Sequence, residues 1–213
     1  ECSAMSTHCL GDHFDIHGGG MDLMFPHHEN EIAQSEGATG HKFVNMWMHN
    51  GFVRVNEEKM SKSLGNFFTV REILSKLDKE DSERAGEIVR FFILQSHYRS
   101  PLNYGFDELK GAEKRLAGMY RALHRAGENK NAPVEKETVY SKAFKAAMDD
   151  DFNTSDAMAE LDKLSTEINS ELDKGNSQKA QTLASTLQQL ANQFGILQLD
   201  PKKFLKVALL TLN

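Results

Sequence analysis

Lys59 and Lys62 stand three apart in the run Lys59-Met60-Ser61-Lys62-Ser63, which Leu64-Gly65-Asn66 closes as a turn. A strand-like stretch over 47–55 precedes the run, and a helical pattern begins at Thr69. A polar lysine loop between strand and helix offers positive charge and backbone N–H groups to phosphate oxygens. The same composition also describes an ordinary solvated loop, and spacing alone does not separate the two readings.

A second chemical group lies upstream. His27 and Glu31 are four apart in a helical pattern, so their side chains leave one face a turn apart. With the thiol of Cys2 they make an imidazole, a carboxylate and a thiolate, all ordinary zinc ligands. A His/Glu surface pair has the same spacing. Three protein ligands leave one position open, the arrangement of catalytic rather than structural zinc. His28 points about 100° away from His27 and reads as a packing or capping residue. His17 ends a short strand just before Gly18-Gly19-Gly20, and Asp22 follows the glycines. The glycines mark a tight turn or a place where a ligand approaches backbone closely. His17 and Asp22 then either line that place or serve turn chemistry.

The elements that must hold these residues follow from periodicity. A short helix is expected over 2–10 and a strand over 14–17. Pro26 is expected to open a helix over 27–35, with Gly37 as its C′ residue. Alternation over 43–55 encloses an Asn50-Gly51 turn. Helices follow over 70–77 and about 83–97. From Phe106 onward there is only helical periodicity, in four stripes. Leu109, Ala112, Leu116, Met119, Tyr120 and Leu123 form the first. The others run through Phe144, through Met158 to Leu172, and through Leu183 to Phe194. Linkers fall near 127–133, 174–176 and 195–201, as in an antiparallel four-helix bundle. Asp149-Asp150-Asp151-Phe152-Asn153-Thr154 lacks the Gly and terminal Glu of a calcium loop and reads as a helix start, with Asn153 or Thr154 as N-cap.

The chain has 213 residues, 39% hydrophobic and 26% charged, with a formal net charge of −6. This composition describes a soluble protein of one large or two ordinary domains. No apolar run approaches the ~18 residues needed to span a membrane. The start has neither the basic region nor the apolar core of a signal peptide. The acidic balance disfavours a purely electrostatic nucleic-acid binder but leaves room for a local basic site. Two cysteines, Cys2 and Cys9, do not make a disulfide framework, and a reducing cytoplasm is expected. The chain lacks an initiator Met and begins inside an element, so a fragment is expected.

Taken together, these motifs resemble cysteinyl-tRNA synthetase. Lys-Met-Ser-Lys-Ser at 59–63 is similar to the second signature of class I aminoacyl-tRNA synthetases. The resemblance to the cysteinyl enzymes is carried by Glu1-Cys2-Ser3-Ala4-Met5, Phe14-Asp15-Ile16-His17-Gly18-Gly19-Gly20 and Phe25-Pro26-His27-His28-Glu29-Asn30-Glu31. Trp47-Met48-His49-Asn50-Gly51, His97-Tyr98-Arg99-Ser100-Pro101-Leu102-Asn103-Tyr104 and the Asp149–Thr154 run carry it further. It covers the whole chain and is most specific before residue 105.

The resemblance implies an α/β fold: the C-terminal half of a Rossmann-type catalytic domain with the signature loop (1–68), a mainly α connector (69–105), the helical bundle (106–200) and the start of an anticodon-binding domain (201–213). It implies ATP-dependent ligation of L-cysteine to tRNA(Cys) through a cysteinyl adenylate, with zinc selecting the cysteine thiolate. Cys2, His27 and Glu31 are the implied metal ligands. Lys62, supported by Lys59, is the implied charge on the phosphates of magnesium-bound ATP, and His17, Gly18, Gly19, Gly20 and Asp22 line the adenylate pocket. A cytoplasmic monomer without membrane attachment is expected. Two other readings share these motifs: an ATP-dependent cysteine ligase of the mycothiol-pathway type, and a non-catalytic synthetase-derived zinc- or tRNA-binding module. The family's first signature and fourth ligand are not in the sequence, so these 213 residues alone are expected not to form the adenylate. Cysteine-dependent ATP–pyrophosphate exchange by them would contradict that expectation.

Overall fold

The computed structural model describes residues 1–55, 58–60, 65, 67–127 and 137–206. It is a mixed α/β, helix-rich structure that divides into two compact units: Glu1–Lys59 with Tyr98–Leu102, and Met60–His97 with Asn103–Asn213.

The first unit opens with α1 (Cys2–Leu10) and β1 (Phe14–Gly20). A 3-10 turn over Met21–Leu23 and a wider turn over Met24–His28 lead into α2 (Glu29–Thr39), and β2 (Val44–Asn50) follows. β1 and β2 are parallel, with Ile16 opposite Met46, His17 opposite Trp47 and Gly19 opposite His49. Parallel neighbours require a crossover, and α2 provides it. Phe43 and Val44 are buried beneath the crossover. β3 (Val53–Val55) and β4 (Glu58–Lys59) form a short antiparallel pair in which Arg54 faces Lys59. Gly51 and Phe52, which link β2 to β3 with no turn assigned at the expected Asn50-Gly51 position, pair with 98–102. Gly51 N–H donates to the Tyr98 carbonyl at 2.8 Å, and Leu102 N–H donates to the Phe52 carbonyl at 2.9 Å. A Cβ at Gly51 would lie 2.3 Å from the Ser100 oxygen, so only glycine fits.

Three further sequence expectations change here. Pro26 does not open the helix: Phe25 is extended (φ −138, ψ 134), as the residue before a proline prefers, and α2 starts at Glu29. Gly37 is an interior position, and Gly40 (φ 72) caps α2 in the left-handed region, its N–H donating to Glu36. The three glycines make no tight turn; they extend β1 to Gly20, and none has positive φ.

The second unit is helical: α3 (Val70–Leu77), α4 (Ser82–Leu94), α5 (Phe106–Ala126), α6 (Val139–Asp149), α7 (Thr154–Asp173), α8 (Ser177–Asn192) and α9 (Pro201–Leu205). The short strand β5 (Leu102–Tyr104) lies between α4 and α5. Thr69 and Glu72 close a capping box on α3, and Asn153 caps α7 by accepting from Asp156 N–H. α4 stops short of His97: the Gln95 and Ser96 carbonyls accept instead from Ser155 and Thr154 hydroxyls. α7 packs on α5, α6 and α8. Its Met158, Leu161, Leu164 and Ile168 are buried, as are Leu109, Leu116, Met119, Tyr120 and Leu123 of α5.

A buried polar cluster ties the segment after α8 to α4 and α5. Glu87 accepts from Tyr120 O–H at 2.5 Å and from Gln198 N–H at 2.7 Å, while Leu199 N–H donates to Tyr120 Oη at 3.1 Å. Phe204 stacks on Tyr120 with ring centroids 4.0 Å apart, and Arg84 donates to the Phe204 carbonyl at 2.9 Å.

Two carboxylates respond to acid in opposite directions. Burial raises the Glu87 pKa above its ordinary 4.5, so the folded state binds the proton more readily than the unfolded one. Its contribution to stability therefore grows as pH falls through the raised value, and is complete below about 4.5. Glu171 is held down at about 2 by the Asn176 side chain, then Lys174 and Lys179. Its contribution is present above 4.5 and is lost as pH falls towards 2. In urea unfolding across this range, Glu87→Gln is expected to remove the gain and Glu171→Gln the loss. An unchanged acid limb in Glu171→Gln would contradict the assignment.

Candidate functional site

Cys2 lies in the first turn of α1, His27 in the turn before α2, and Glu31 in the first turn of α2. α1 packs on α2, with Ser3 Oγ donating to Gln34 Oε1 at 2.9 Å. One donor atom from each of Cys2, His27 and Glu31 falls within 4.8 Å of the others. Cys2 and His27 are exposed, whereas the Glu31 side chain is only 4% exposed. His27 Nε2 is 3.1 Å from Glu31 Oε1, and His17 Nε2 from β1 is 2.8 Å from Oε2. Despite the second contact, Oε2 is buried and has no hydrogen-bond partner among the described residues. A buried carboxylate oxygen in that state is costly unless a cation or a proton meets it. Thiol, imidazole and such a carboxylate suit a zinc ion. His17, His28 and Glu31 form a second set with donor atoms equally close, so the two sets share Glu31.

Behind the donors lies a buried aromatic and imidazole layer. His28 Nδ1 is 2.8 Å from His49 Nε2, one ring donating and the other accepting. Burial lowers the His28 pKa, with His17 adding to the effect and Glu31 opposing it, so His28 is held neutral. Trp47 packs beside both His17 and His28, with ring centroids 4.7 Å and 4.9 Å away. His28, expected as a packing or capping residue, occupies the N-cap position of α2 but makes no side-chain cap; its ring serves His49. His17 joins Glu31 rather than standing apart at the strand end.

The glycines now have a geometric reason. A Cβ at Gly19 would lie 2.7 Å from His28 Cε1 and 3.2 Å from Leu23 Cδ1, and one at Gly20 would lie 2.5 Å from Asp22 Oδ1. Gly18 has ordinary room, its Cβ position being 3.5 Å from the Met48 carbonyl oxygen. Asp22 sits in the 3-10 turn that follows. Lys59 ends β4, and Lys62 lies outside the described residues. Sequence reasoning placed Trp47 and His49 in a family motif but gave them no role, and it missed Ser35, whose buried Oγ has no hydrogen-bond partner among the described residues. The signal for the first two was period-two spacing on β2 in register with His17 and Gly19.

The cluster uses the later residues of two parallel strands joined by a helix, where open α/β sheets place their ligands. That is the arrangement of one strand–helix–strand unit of a mixed α/β fold. The structural comparison agrees at the level of fold: a LeuRS–tRNA–LeuAMS ternary complex from Agrobacterium radiobacter K84 superposes with a TM-score of 0.56 at 19% identity, covering 83% of this chain and 24% of that one. The family follows from sequence: the catalytic-domain model of the class I (C) tRNA synthetases matches residues 1–114, and the chain belongs to that family. A DALR domain matches residues 143–198. The cysteine–tRNA ligase of Methylococcus capsulatus is 57% identical over 208 residues, 97% of this chain and 43% of the relative. That of Thioalkalivibrio sulfidiphilus is 57% identical over 206 residues, with the same coverage. The chain thus spans less than half the length of these relatives. No described helix is long and apolar enough to cross a membrane.

Gly19→Ala tests the packing of the site. The added methyl must displace the His28 ring from His49, and overpacking of this kind costs ~1–3 kcal/mol. Chemical denaturation should show that loss, with Gly18→Ala milder; equal stability of Gly19→Ala and the parent would contradict the packing.

Proposed function

We propose that the protein to which this chain belongs joins L-cysteine to tRNA(Cys) at the expense of ATP, with zinc held by Cys2, His27 and Glu31 selecting the thiol. The observation that carries the reading is that donor atoms of Cys2, His27 and Glu31 lie within 4.8 Å of one another, and that Glu31 keeps a buried oxygen, Oε2, with no hydrogen-bond partner among the described residues. The identity to cysteine–tRNA ligases supports the substrate assignment.

Two steps make up the reaction. The cysteine carboxylate attacks the α-phosphorus of magnesium-bound ATP and releases pyrophosphate. A terminal ribose hydroxyl of the tRNA then attacks the adenylate carbonyl. Neither step needs a protein nucleophile, so rate comes from positioning and from charge placed where it develops. Lys62 supplies charge to the phosphates, with Lys59 supporting it. Gly18, Gly19 and Gly20 keep side chains away from the adenylate, and His17 and Asp22 border it.

Shape alone discriminates cysteine from serine poorly, since a one-group difference is worth only ~1–3 kcal/mol. Zinc supplies a Lewis acid that takes a thiolate in preference to an alkyl hydroxyl. The chain's part is to hold that preference in place. Glu31 is fixed by burial and by His17 and His27, and Cys2 is carried on a helix packed against α2. His28 and His49 fill the wall behind.

The finer architecture belongs to the same reading. Residues 1–68 form the second half of a Rossmann-type domain, 69–105 a connector, 106–200 an antiparallel bundle, and 201–213 the start of an anticodon-binding domain. The protein acts as a cytoplasmic monomer.

In the full-length enzyme, Cys2→Ser and His27→Ala should lower zinc content and raise the cysteine KM by ~10–100-fold or more. The ATP KM should change much less. Lost zinc with an unchanged cysteine KM would reject the selective role.

A further inference from the structure

α2 buries two residues, Glu31 and Ser35, and both are polar. They are four apart, so their side chains leave one face of the helix a turn apart. Among the described residues, Glu31 Oε2 and Ser35 Oγ are the two buried side-chain polar atoms with no hydrogen-bond partner. A buried hydroxyl in that state destabilises the fold. Alanine is as small, favours a helix more strongly and has no polar atom to satisfy.

An unpaired hydroxyl is not the habit of helical serine and threonine in this chain. Thr39, Thr166, Thr182, Ser185 and Thr186 each donate to the carbonyl four residues back, at 2.8–3.2 Å. Ser35 has the Glu31 carbonyl at the same offset and does not use it. The buried serine of α1, Ser3, is also paired, through Gln34 Oε1. Packing against α1 therefore asks for a small residue at position 35 and leaves the hydroxyl unused. The metal site gives the hydroxyl a use. A carboxylate that ligates a metal needs donors for its remaining lone pairs, and those donors fix its orientation.

We propose that Ser35 is a positioning residue for the metal site: its hydroxyl donates to the Glu31 carboxylate, directly or through one buried water, and fixes the orientation in which Glu31 meets zinc. The assignment rests on the zinc-dependent ligase reading above. Residues one helical turn apart are neighbours, and a single bridging water spans what a direct contact does not. Ser35 acts on thiol selection through Glu31 alone, and has no part in holding ATP.

The test uses the full-length protein, stripped with a chelator and titrated with zinc against a chromophoric competitor. Ser35→Ala should raise the zinc Kd by about 10–100-fold. The zinc-free variant should melt no lower than the zinc-free parent, because the substitution removes an unpaired buried hydroxyl. Weaker metal binding without loss of stability is a combination that a purely structural serine does not produce. At saturating zinc the cysteine KM should rise while kcat and the ATP KM hold. Ser185→Ala on α8 removes a hydroxyl bonded within its own helix and should leave the zinc Kd within about 2-fold. If the parent binds zinc and Ser35→Ala binds it equally well, the positioning role is rejected and the zinc reading stands. A zinc-free Ser35→Ala that melts well below the zinc-free parent assigns the hydroxyl to the fold and rejects the role as well. A parent that binds no zinc overturns the zinc reading, and the role of Ser35 with it.

Discussion

The first unit is arranged around the burial of one anion. Glu31 brings a carboxylate into a layer of aromatic and imidazole rings, where an unpaired charge is expensive. Each neighbouring element sends a side chain to meet it: His17 from β1, His27 from the turn before α2, and the Cys2 thiol from α1. The parallel register sets His17 beside Trp47 and Gly19 beside His49. The missing side chain at Gly19 leaves the volume that His28 fills on its way to His49.

The second unit buries an anion too, and the comparison separates a structural carboxylate from one open to a ligand. Both Glu87 oxygens receive protein donors, from Tyr120 and Gln198, and the Tyr120 hydroxyl is itself served by Leu199. That network is closed and fixes a segment of chain. Glu31 keeps one oxygen, Oε2, with no hydrogen-bond donor among the described residues. Two glutamates of similar burial thus serve different ends according to whether the protein completes their hydrogen bonding.

What could be read from sequence was local. The helical pattern from Thr69 becomes α3, and of the two N-cap candidates Asn153 and Thr154 the structure uses Asn153, which accepts from Asp156 N–H three residues on. The stripe from Leu109 to Leu123 is buried because a 3.6-residue period needs no tertiary information. The pairing of His27 with Glu31 was legible for the same reason. What failed depended on distant chain. Gly37 and Gly40 are equivalent as local stop signals, and α2 runs on to the second. The glycines after His17 were legible as a place of close approach but not as strand, because β2, their partner, lies 30 residues away. His49 was visible as part of a motif but its role was not, since that role arises from a ring 21 residues earlier.

The pairing of Gly51 with Tyr98, and of Phe52 with Leu102, bears on the order in which the chain is built. The first unit is not contiguous: α3 and α4 are made between its main body and its last five residues, 98–102. On a ribosome the segment through Lys59 emerges early but cannot make these two hydrogen bonds until residue 102 is clear, and loop-closure entropy is met only then. α3 and α4 therefore have time to form while the nascent β-hairpin edge still lacks its partner. Gly51 is where the early and the late segments of the first unit meet.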